Sequence, residues 1–385
     1  MGGFLHDPPD RMRILHVVES LDRGAVENWL VNVFKESRRM RPDLEWTFYC
    51  LLDSPGKLDG IVEELGGKII RSPVTISDKL SFLVHLRRTL KKGSYDILHV
   101  HHDFLSGYYL LASIGIRFRK RILHIHNNDR HLPVGSPSVR SLLLPVCWWL
   151  SLRLVDEVLC ISEHTMEDYK GSYKSAKPRF EVLYYGIDMD RFRTPVDTDS
   201  IRSGLGIPTG ARMLLFVGRM NREKNPLFAF EILSAMVGMG IDAYLVLVGK
   251  GEKEGELRDR IRDTGLSERV RMMGWSEDVS RLMRAADAFV FPRLEHPCEG
   301  LGLVVVEAQC AGLPVFITPG IVGDAVELDE LAHWDIPENP TRWAENIEGV
   351  LAAGPRISRE AALARMLSSR FEISVASANL LAHYH

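Results

Sequence analysis

Short apolar runs alternate with helical stretches along almost the whole chain, and this alternation limits the fold more than any other feature. In the first half the runs Arg13–Val18, Trp46–Leu52, Lys68–Arg71, Asp96–His101, Arg121–His126, Glu157–Ile161 and Phe180–Tyr185 read as buried strands. Helices are expected over about Ala25–Met40, Leu58–Leu65, Ser77–Lys92, Phe104–Ile116 and Ser138–Leu154. Strands separated by helices cannot form hairpins. They pair in parallel through right-handed crossovers, which predicts an α/β chain with doubly wound sheets. Ligands then belong at the carboxyl ends of the strands. Three polar clusters fall there: Gly24 with Glu27, His101-His102-Asp103, and His126-Asn127-Asn128-Asp129.

Arg193–Gly210 is rich in Pro, Asp, Ser, Thr and Gly and has no apolar period, so it reads as a domain linker. The alternation then restarts, with strands at Arg212–Val217, Ala243–Val248, Val270–Met273, Ala288–Phe291 and Pro314–Ile317. The expected organisation is an N-terminal Rossmann-like domain over residues 11–192, a linker over 193–210, and a second Rossmann-like domain over 211–365. A C-terminal helix in 366–385 is expected to pack back toward the first domain. Two such halves facing each other leave a cleft, a favoured place for a small molecule.

A chain of 385 residues is long enough for two domains, and its net charge of −3 offers nothing to nucleic acid. The five cysteines are scattered and match no zinc spacing, so they read as small buried residues in a reducing compartment. Met1–Asp10 reads as a polar tail, not a secretory signal. The longest apolar run, Leu142–Leu150, is far short of the ~20 residues a spanning helix needs. A cytoplasmic protein is expected.

The segment Arg293–Pro314, RLEHPCEGLGLVVVEAQCAGLP, holds the densest chemistry. A strand enters it, Gly300 and Gly302 follow, and a helix starts near Leu303. Unpaired N–H groups and the helix dipole favour an anion there. Glu299 and Glu307 would repel a phosphate but suit the hydroxyls of a sugar or ribose. Arg219 and Lys224, just past another strand end, could neutralise a departing diphosphate. Taken singly, each of these charges is equally a solvated loop residue. His16 and His99 lie within strands and read as packing residues. His101 and His126 lie at strand ends, where side chains point into the cleft. His124 and His126 share a face, and the strand-end position favours His126 as the one that reaches a ligand. No third ligand stands at a set spacing, so no metal site is expected. Asp188, Asp190, Asp197 and Asp199 read as turn chemistry. The run Arg117–Arg121 and the Trp148-Trp149 helix could touch an anionic membrane surface, or be a solvated loop and a core helix.

As a set, these motifs resemble the retaining glycosyltransferases of family four, which have the GT-B fold, and in particular the branch that builds bacterial exopolysaccharide and capsule. The likeness runs from about Arg13 to the C-terminus. Glu299 and Glu307 match the family's Glu-x7-Glu element, GRMNREKNP (218–226) its GR…K…P segment, GIDMDRF (186–192) the exit from the first domain, and GWSEDVSRLMRAADAFVFP (274–292) the stretch before the glutamates. The resemblance implies two Rossmann-like domains and a UDP- or GDP-sugar donor held mainly by the second. Arg219 and Lys224 would bind the diphosphate and Glu307 the ribose. Glu299 would lie by the donor sugar, with the amides of Leu301, Gly302 and Leu303 near its hydroxyls and the phosphate. Trp275 would lie beside the base and His126 near the donor sugar, with Gly24 in the first glycine loop. The acceptor, a glycan or lipid-linked glycan, would bind the first domain. The resemblance implies no metal or other cofactor. Where the family usually has paired glycines in the first loop, this chain has Gly24-Ala25. Two other readings stay open at this point: a nucleotide-sugar epimerase on the same fold, and a catalytically silent nucleotide- or sugar-binding partner.

Overall fold

The computed structural model describes residues 11–22, 24–127, 139–171, 173, 175, 177–276 and 278–385, with backbone only at 104 and 139–144. The expectations on Met1–Asp10, Asn128, Asp129, Ser138 and Glu277 lie outside the described residues. The chain divides into two compact units. The first runs to Ile187 and takes in Ile373–His385, and the second is Asp188–Glu372.

The first unit is built on strands β1 (Met12–Val18), β2 (Leu44–Cys50), β3 (Lys68–Arg71), β4 (Ile97–Val100), β5 (Lys120–Ile125), β6 (Glu157–Cys160) and β7 (Arg179–Val182). They form one parallel sheet in the order β3-β2-β1-β4-β5-β6-β7. Helices α1 (Ala25–Met40), α2 (Asp59–Glu64), α3 (Lys79–Gly93), α4 (Ser106–Leu110), α5 (Val139–Leu154) and α6 (Glu163–Lys170) cross between strands. Both faces of the sheet are covered. On one, Leu15, Val17, Leu98, Val100, Leu123 and Ile125 pack with Phe82 and Leu86 of α3. On the other, Trp29, Leu30, Val33 and Phe34 of α1 are buried. The C-terminal helix α14 (Ile373–Ala382, numbered in chain order after the helices of the second unit) packs on α1. The expected helix over Phe104–Ile116 is broken into two 3-10 turns flanking α4. Gly107 explains why α4 can exist there at all, since a Cβ would sit 1.8 Å from the Cys147 carbonyl oxygen of α5.

In the second unit, strands β8 (Arg212–Val217), β9 (Ala243–Val248), β10 (Val270–Gly274), β11 (Ala288–Phe291), β12 (Val315–Ile317) and β13 (Ala332–Trp334) pair in parallel as β10-β9-β8-β11-β12-β13. Helices α7 (Thr198–Gly204), α8 (Pro226–Gly238), α9 (Glu254–Asp263), α10 (Val279–Ala285), α11 (Leu303–Cys310), α12 (Pro340–Ala353) and α13 (Arg359–Met366) accompany them. Residues 193–210, expected as a linker, instead hold α7. Its cap is Asp197, whose side chain accepts from Ser200 N at 3.0 Å. Asp188 accepts from Asp190 N at 3.1 Å. The paired aspartates therefore serve turns and caps. Arg202 of α7 ties this helix to the domain through the carbonyls of Ala285 and Ala211.

Both sheets reverse direction once, between β1 and β4 and between β8 and β11. Loops leaving adjacent strands there go to opposite faces, so each reversal opens a crevice at the carboxyl edge. In the second unit the end of β8, which borders the crevice, is held against the end of β9 by glycine. Gly249 has φ +129°, and a Cβ on it would lie 1.9 Å from the Gly218 carbonyl oxygen. Gly249→Ala is expected to lower the stability of this unit by at least about 1–3 kcal/mol, read as a shift of the urea midpoint. An unchanged midpoint would refute this account of the loop.

Candidate active site

The β8–β11 crevice gathers most of the residues singled out in the sequence. Gly218 ends β8, and Arg219 follows it, exposed and with no ion pair among the described residues. Asn225 takes a left-handed conformation (φ 54°) and donates to the Pro292 carbonyl at 3.2 Å, which joins the loop after β8 to the loop after β11. Pro226 at the first turn of α8 then turns the chain away. This staple holds Lys224 in place: its ammonium donates to Glu299 Oε2 and stands 5.2 Å from the centroid of the Phe291 ring.

Arg293 completes the group. It is almost wholly buried, with 6% of its side chain exposed, and its Nε donates to the same Glu299 Oε2 at 2.7 Å. It also donates to the carbonyls of Leu294 (2.8 Å) and Pro297. One carboxylate oxygen thus receives two cations, and Glu299 Oε1 is left for another donor. Burial would raise the Glu299 carboxyl, but Lys224 and Arg293 beside it hold it below its ordinary value. Burial lowers the Lys224 ammonium, and Glu299 only partly offsets this. The group is one net cation, largely buried and prearranged, with Arg219 nearby.

The helix side of the crevice is α11. Gly302 caps it with φ 86° and ψ 52°, a conformation that L side chains rarely adopt. Leu301 is buried, and Leu303 opens the helix partly exposed. Glu307, one turn in, is ion-paired through Oε1 to Arg191 of the segment that enters this unit. Trp275, after β10, exposes 58% of its surface beyond Gly274. The sequence reading missed Arg293 and Arg191. The signal for Arg293 was present, since an arginine directly after a buried strand and Pro292 has to find an acid, and Glu295 and Glu299 both lie within six residues of it.

In the first unit the β1–β4 crevice receives Gly24 and two histidines. Gly24 caps α1 in extended conformation, with φ −114° and ψ 171°. Ala25 is the first residue of the helix and needs no positive φ, so the missing second glycine carries no backbone strain. Glu27 is pushed up by burial, with Glu19 and Asp22 adding to the effect. His101 and His126 are both buried, contrary to the expectation of rings open to a cleft. The His126 ring is held at both nitrogens, by the Tyr185 hydroxyl at Nδ1 and by His101 at 2.9 Å at Nε2. Its backbone N–H donates to Asp103 Oδ1 at 3.0 Å.

Comparison with known proteins gives the class first. Anabaena HepE in complex with UDP superposes with a TM-score of 0.77 at 19% identity, over 97% of this chain and 99% of that one. A glycosyltransferase from Rickettsia africae superposes with a TM-score of 0.79 at 18% identity, over 97% and 98%. The two doubly wound units are those of the GT-B fold. Residues 27–191 match the family described as Glycosyltransferase Family 4, and residues 197–362 the family described as Glycosyl transferases group 1. The chain belongs to glycosyltransferase family four. EpsF of Bacillus subtilis strain 168, provisionally named a glycosyltransferase, is 28% identical over 89% of this chain and 88% of its own. An Escherichia coli UDP-Gal:alpha-D-GlcNAc-diphosphoundecaprenol alpha-1,3-galactosyltransferase is 27% identical over 64% and 63%.

Removing Glu299 leaves Lys224 and Arg293 facing each other without a counter-charge. Glu299→Ala is expected to destabilise the protein by about 2 kcal/mol, less than the roughly 3–5 kcal/mol of a fully buried pair because part of the side chain stays exposed. Glu299→Ala combined with Lys224→Met should recover part of that loss. Thermal unfolding of the three proteins measures it, and full additivity would deny the coupling.

Proposed function

We propose that the protein is a retaining glycosyltransferase that moves a hexose-type sugar from a UDP- or GDP-sugar to a glycan or lipid-linked acceptor, in the synthesis of cell-surface polysaccharide. The observation that carries this reading is the prearranged group Lys224–Glu299–Arg293 beside the Gly302-capped start of α11, at the reversal point of the sheet. Family membership and the UDP bound by HepE support it.

In this reading the second unit holds the donor. Arg219 and Lys224 meet the diphosphate, and their charge offsets the negative charge that grows as the sugar–oxygen bond breaks, so the transfer needs no metal. The amides of Leu301, Gly302 and Leu303 face the phosphate and sugar. Glu299 Oε1 accepts from a sugar hydroxyl while Oε2 stays bound to its two cations. Glu307 keeps Oε2 for the ribose while Arg191 holds Oε1. Trp275 lies beside the base. The first unit takes the acceptor and supplies His126. No side chain here is placed as an enzymic nucleophile, in keeping with front-face attack by the acceptor, assisted by the leaving phosphate. Exposed Val146 and Trp149 of α5, with Arg153 4.8 Å from the Trp149 ring centroid, are the surface proposed for contact with an anionic membrane. Much of the run Arg117–Arg121 is engaged within its own unit: Arg119 with Asp96, Lys120 with Glu157 and the His383 carbonyl, and Arg121 over Phe118. No helix among the described residues is long and apolar enough to cross a membrane.

Calorimetric titration with UDP, GDP, ADP and NAD, with and without magnesium, tests the donor class. Tight binding of one nucleoside diphosphate, insensitive to magnesium, is expected, and binding of none would sink the assignment. Glu299→Ala and Lys224→Ala should each lower turnover by at least about tenfold. Near-normal rates in both would remove the site from the reaction.

Binding should also depend on pH in a defined sense. Phosphate needs the protonated Lys224, and burial has lowered the pKa of that ammonium in the unliganded protein. Affinity should therefore fall as pH rises, starting below the ordinary lysine range. Lys224→Arg, which cannot deprotonate there, should flatten the profile. An equally steep fall in that variant would exclude Lys224 as the titrating group.

A further inference from the structure

Five imidazoles lie on one face of the first sheet: His16 of β1, His99 and His101 in and just beyond β4, and His124 and His126 in and just beyond β5. His16 and His99 are register partners, and the members of each pair stand two residues apart, so all five point to the side covered by α1 and α14. All are buried. His99 stacks on His101 and His124 on His126 at centroid distances of 4.2 Å, and His16 stacks on Trp46 at 4.3 Å.

Three of the five are joined into a line. His16 Nδ1 lies 3.0 Å from His101 Nε2, His101 Nδ1 lies 2.9 Å from His126 Nε2, and His126 Nδ1 meets the Tyr185 hydroxyl. Tyr185 is itself stacked on Trp29 at 4.4 Å and 7°. His99 is held apart, by Tyr384 at 2.9 Å. His16 Nε2, His99 Nε2 and both nitrogens of His124 are buried without a hydrogen-bond partner among the described residues.

Burial, reinforced by the neighbouring rings, pushes the pKa of every one of these histidines down, that of His101 to about 3. The other groups facing the line are His102, itself lowered by burial to about 4, and Tyr384, raised by burial. Glu27 and Asp103 act on Tyr185, and His383 acts on His124. The line is therefore neutral near pH 7. A neutral imidazole has one N–H and one lone pair, so each ring that donates on one side must accept on the other. Only two proton orders are then consistent. If Tyr185 donates to His126 Nδ1, then His126 Nε2–H donates to His101 and His101 Nε2–H donates to His16. In the opposite order every bond reverses, and the Tyr185 proton must turn to another acceptor. The bonds cannot reverse one at a time.

The same nitrogens come close enough for a metal, since two triads, His16/His99/His101 and His101/His124/His126, each place ligand atoms within 4.8 Å. The ring planes argue against it. His101 lies 25° from His16 and 15° from His126, and the linked nitrogens point at one another. A tetrahedral ion needs in-plane lone pairs that converge from different directions.

We propose that His16 and His101 are positioning residues that, through a single hydrogen-bonded line with Tyr185, fix the tautomer and ring orientation of His126 at the carboxyl end of β5. The task of His126 rests on the function proposed above, but the line itself does not. Among the described residues the hydrogen-bonded route from His16 to His126 runs through His101, while the stacked rings of His99 and His124 offer contact but no proton to pass on.

The test uses the full chain with ¹⁵N-labelled histidine. Two-bond proton–nitrogen spectra report the tautomer of each ring. His126 is expected in one neutral tautomer, unchanged as the pH is lowered through the ordinary histidine range. His16→Phe keeps the stack on Trp46 but removes the end of the line, and Tyr185→Phe removes the other end. Each should shift both His126 nitrogen signals toward a tautomer mixture. Each should also lower kcat at least about threefold with little change in the KM for donor. If one variant fails to fold, the other decides. Unmoved His126 signals would overturn the line, as would stoichiometric zinc retained after loading with ZnCl₂ and dialysis. Shifted signals with unchanged kcat would overturn the positioning role alone. A chain that binds no nucleotide but shows the shifts would refute the transferase reading and leave the line standing.

Discussion

A strand that must lie parallel to its neighbour cannot reach it by a hairpin. It needs a crossover, and a right-twisted strand feeding a helix packs back on the sheet with one hand only. Everything placed at the two candidate sites depends on that constraint. The sheets run in one direction from β1 to β3 and from β8 to β10, then return past the first strand to β4 and to β11. Where the order reverses, the loops after β1 and β4, and after β8 and β11, leave on opposite faces and cannot fill the space between them. Gly24 and His101 stand at one such gap, and Arg219, Lys224 and Arg293 at the other. No local preference of these residues would bring Lys224 to Glu299, 75 positions apart in the chain. The topology does.

The two units keep polar groups dry in opposite ways. In the second, charge is retained: a carboxylate is held ionised against burial by an ammonium and a guanidinium on one of its oxygens. Such a group is stable only while all its members are present, because each charge removed leaves another unpaired. In the first unit, charge is removed. Imidazoles stacked around 4–5 Å apart cannot all be protonated, and burial drives them neutral. What remains is a set of donors and acceptors with few ways to be satisfied. The charged group suits a ligand that brings its own negative charge. The neutral group suits one whose polar atoms are hydroxyls.

The architecture was legible because buried parallel strands are short, nearly continuous apolar runs, and most of those runs became strands within a residue or two. The site residues of the second unit were legible for a related reason: Arg219, Lys224, Glu299 and Gly302 all lie in the segments that leave the carboxyl ends of β8 and β11. What escaped depended on tertiary context. Ala332–Trp334 is a three-residue edge strand with no apolar run to mark it. The turn-rich stretch 193–210 looked unstructured, yet Asp197 caps a helix that Arg202 fastens to the domain. Phe104–Ile116 has helical periodicity, but its backbone is broken where α4 closes on the α5 backbone through Gly107. Arg191 was passed over because its acid, Glu307, lies in another element, and Arg293 because its partner is six residues on in the same irregular loop. The histidines were read one by one, each as packing or as ligand. Their register across three strands, which makes them a set, exists only in the sheet.

The prearranged cations also bear on how a diphosphate could enter. Lys224 has already lost most of its hydration, and part of the cost of that loss is offset within the fold by Glu299 and the Phe291 ring. An incoming phosphate therefore does not have to strip water from a free lysine. It has only to share the ammonium with Glu299, which keeps Arg293 when it yields Lys224. Arg219, exposed and without an ion pair among the described residues, is the cation with charge to spare. A site built this way favours a ligand that can meet both groups at once, a phosphate at Lys224 and Arg219 and a hydroxyl at the remaining oxygen of Glu299. A free phosphate satisfies only the first of these, and a free sugar only the second. Under the proposed function, that joint demand would select a sugar still attached to its diphosphate.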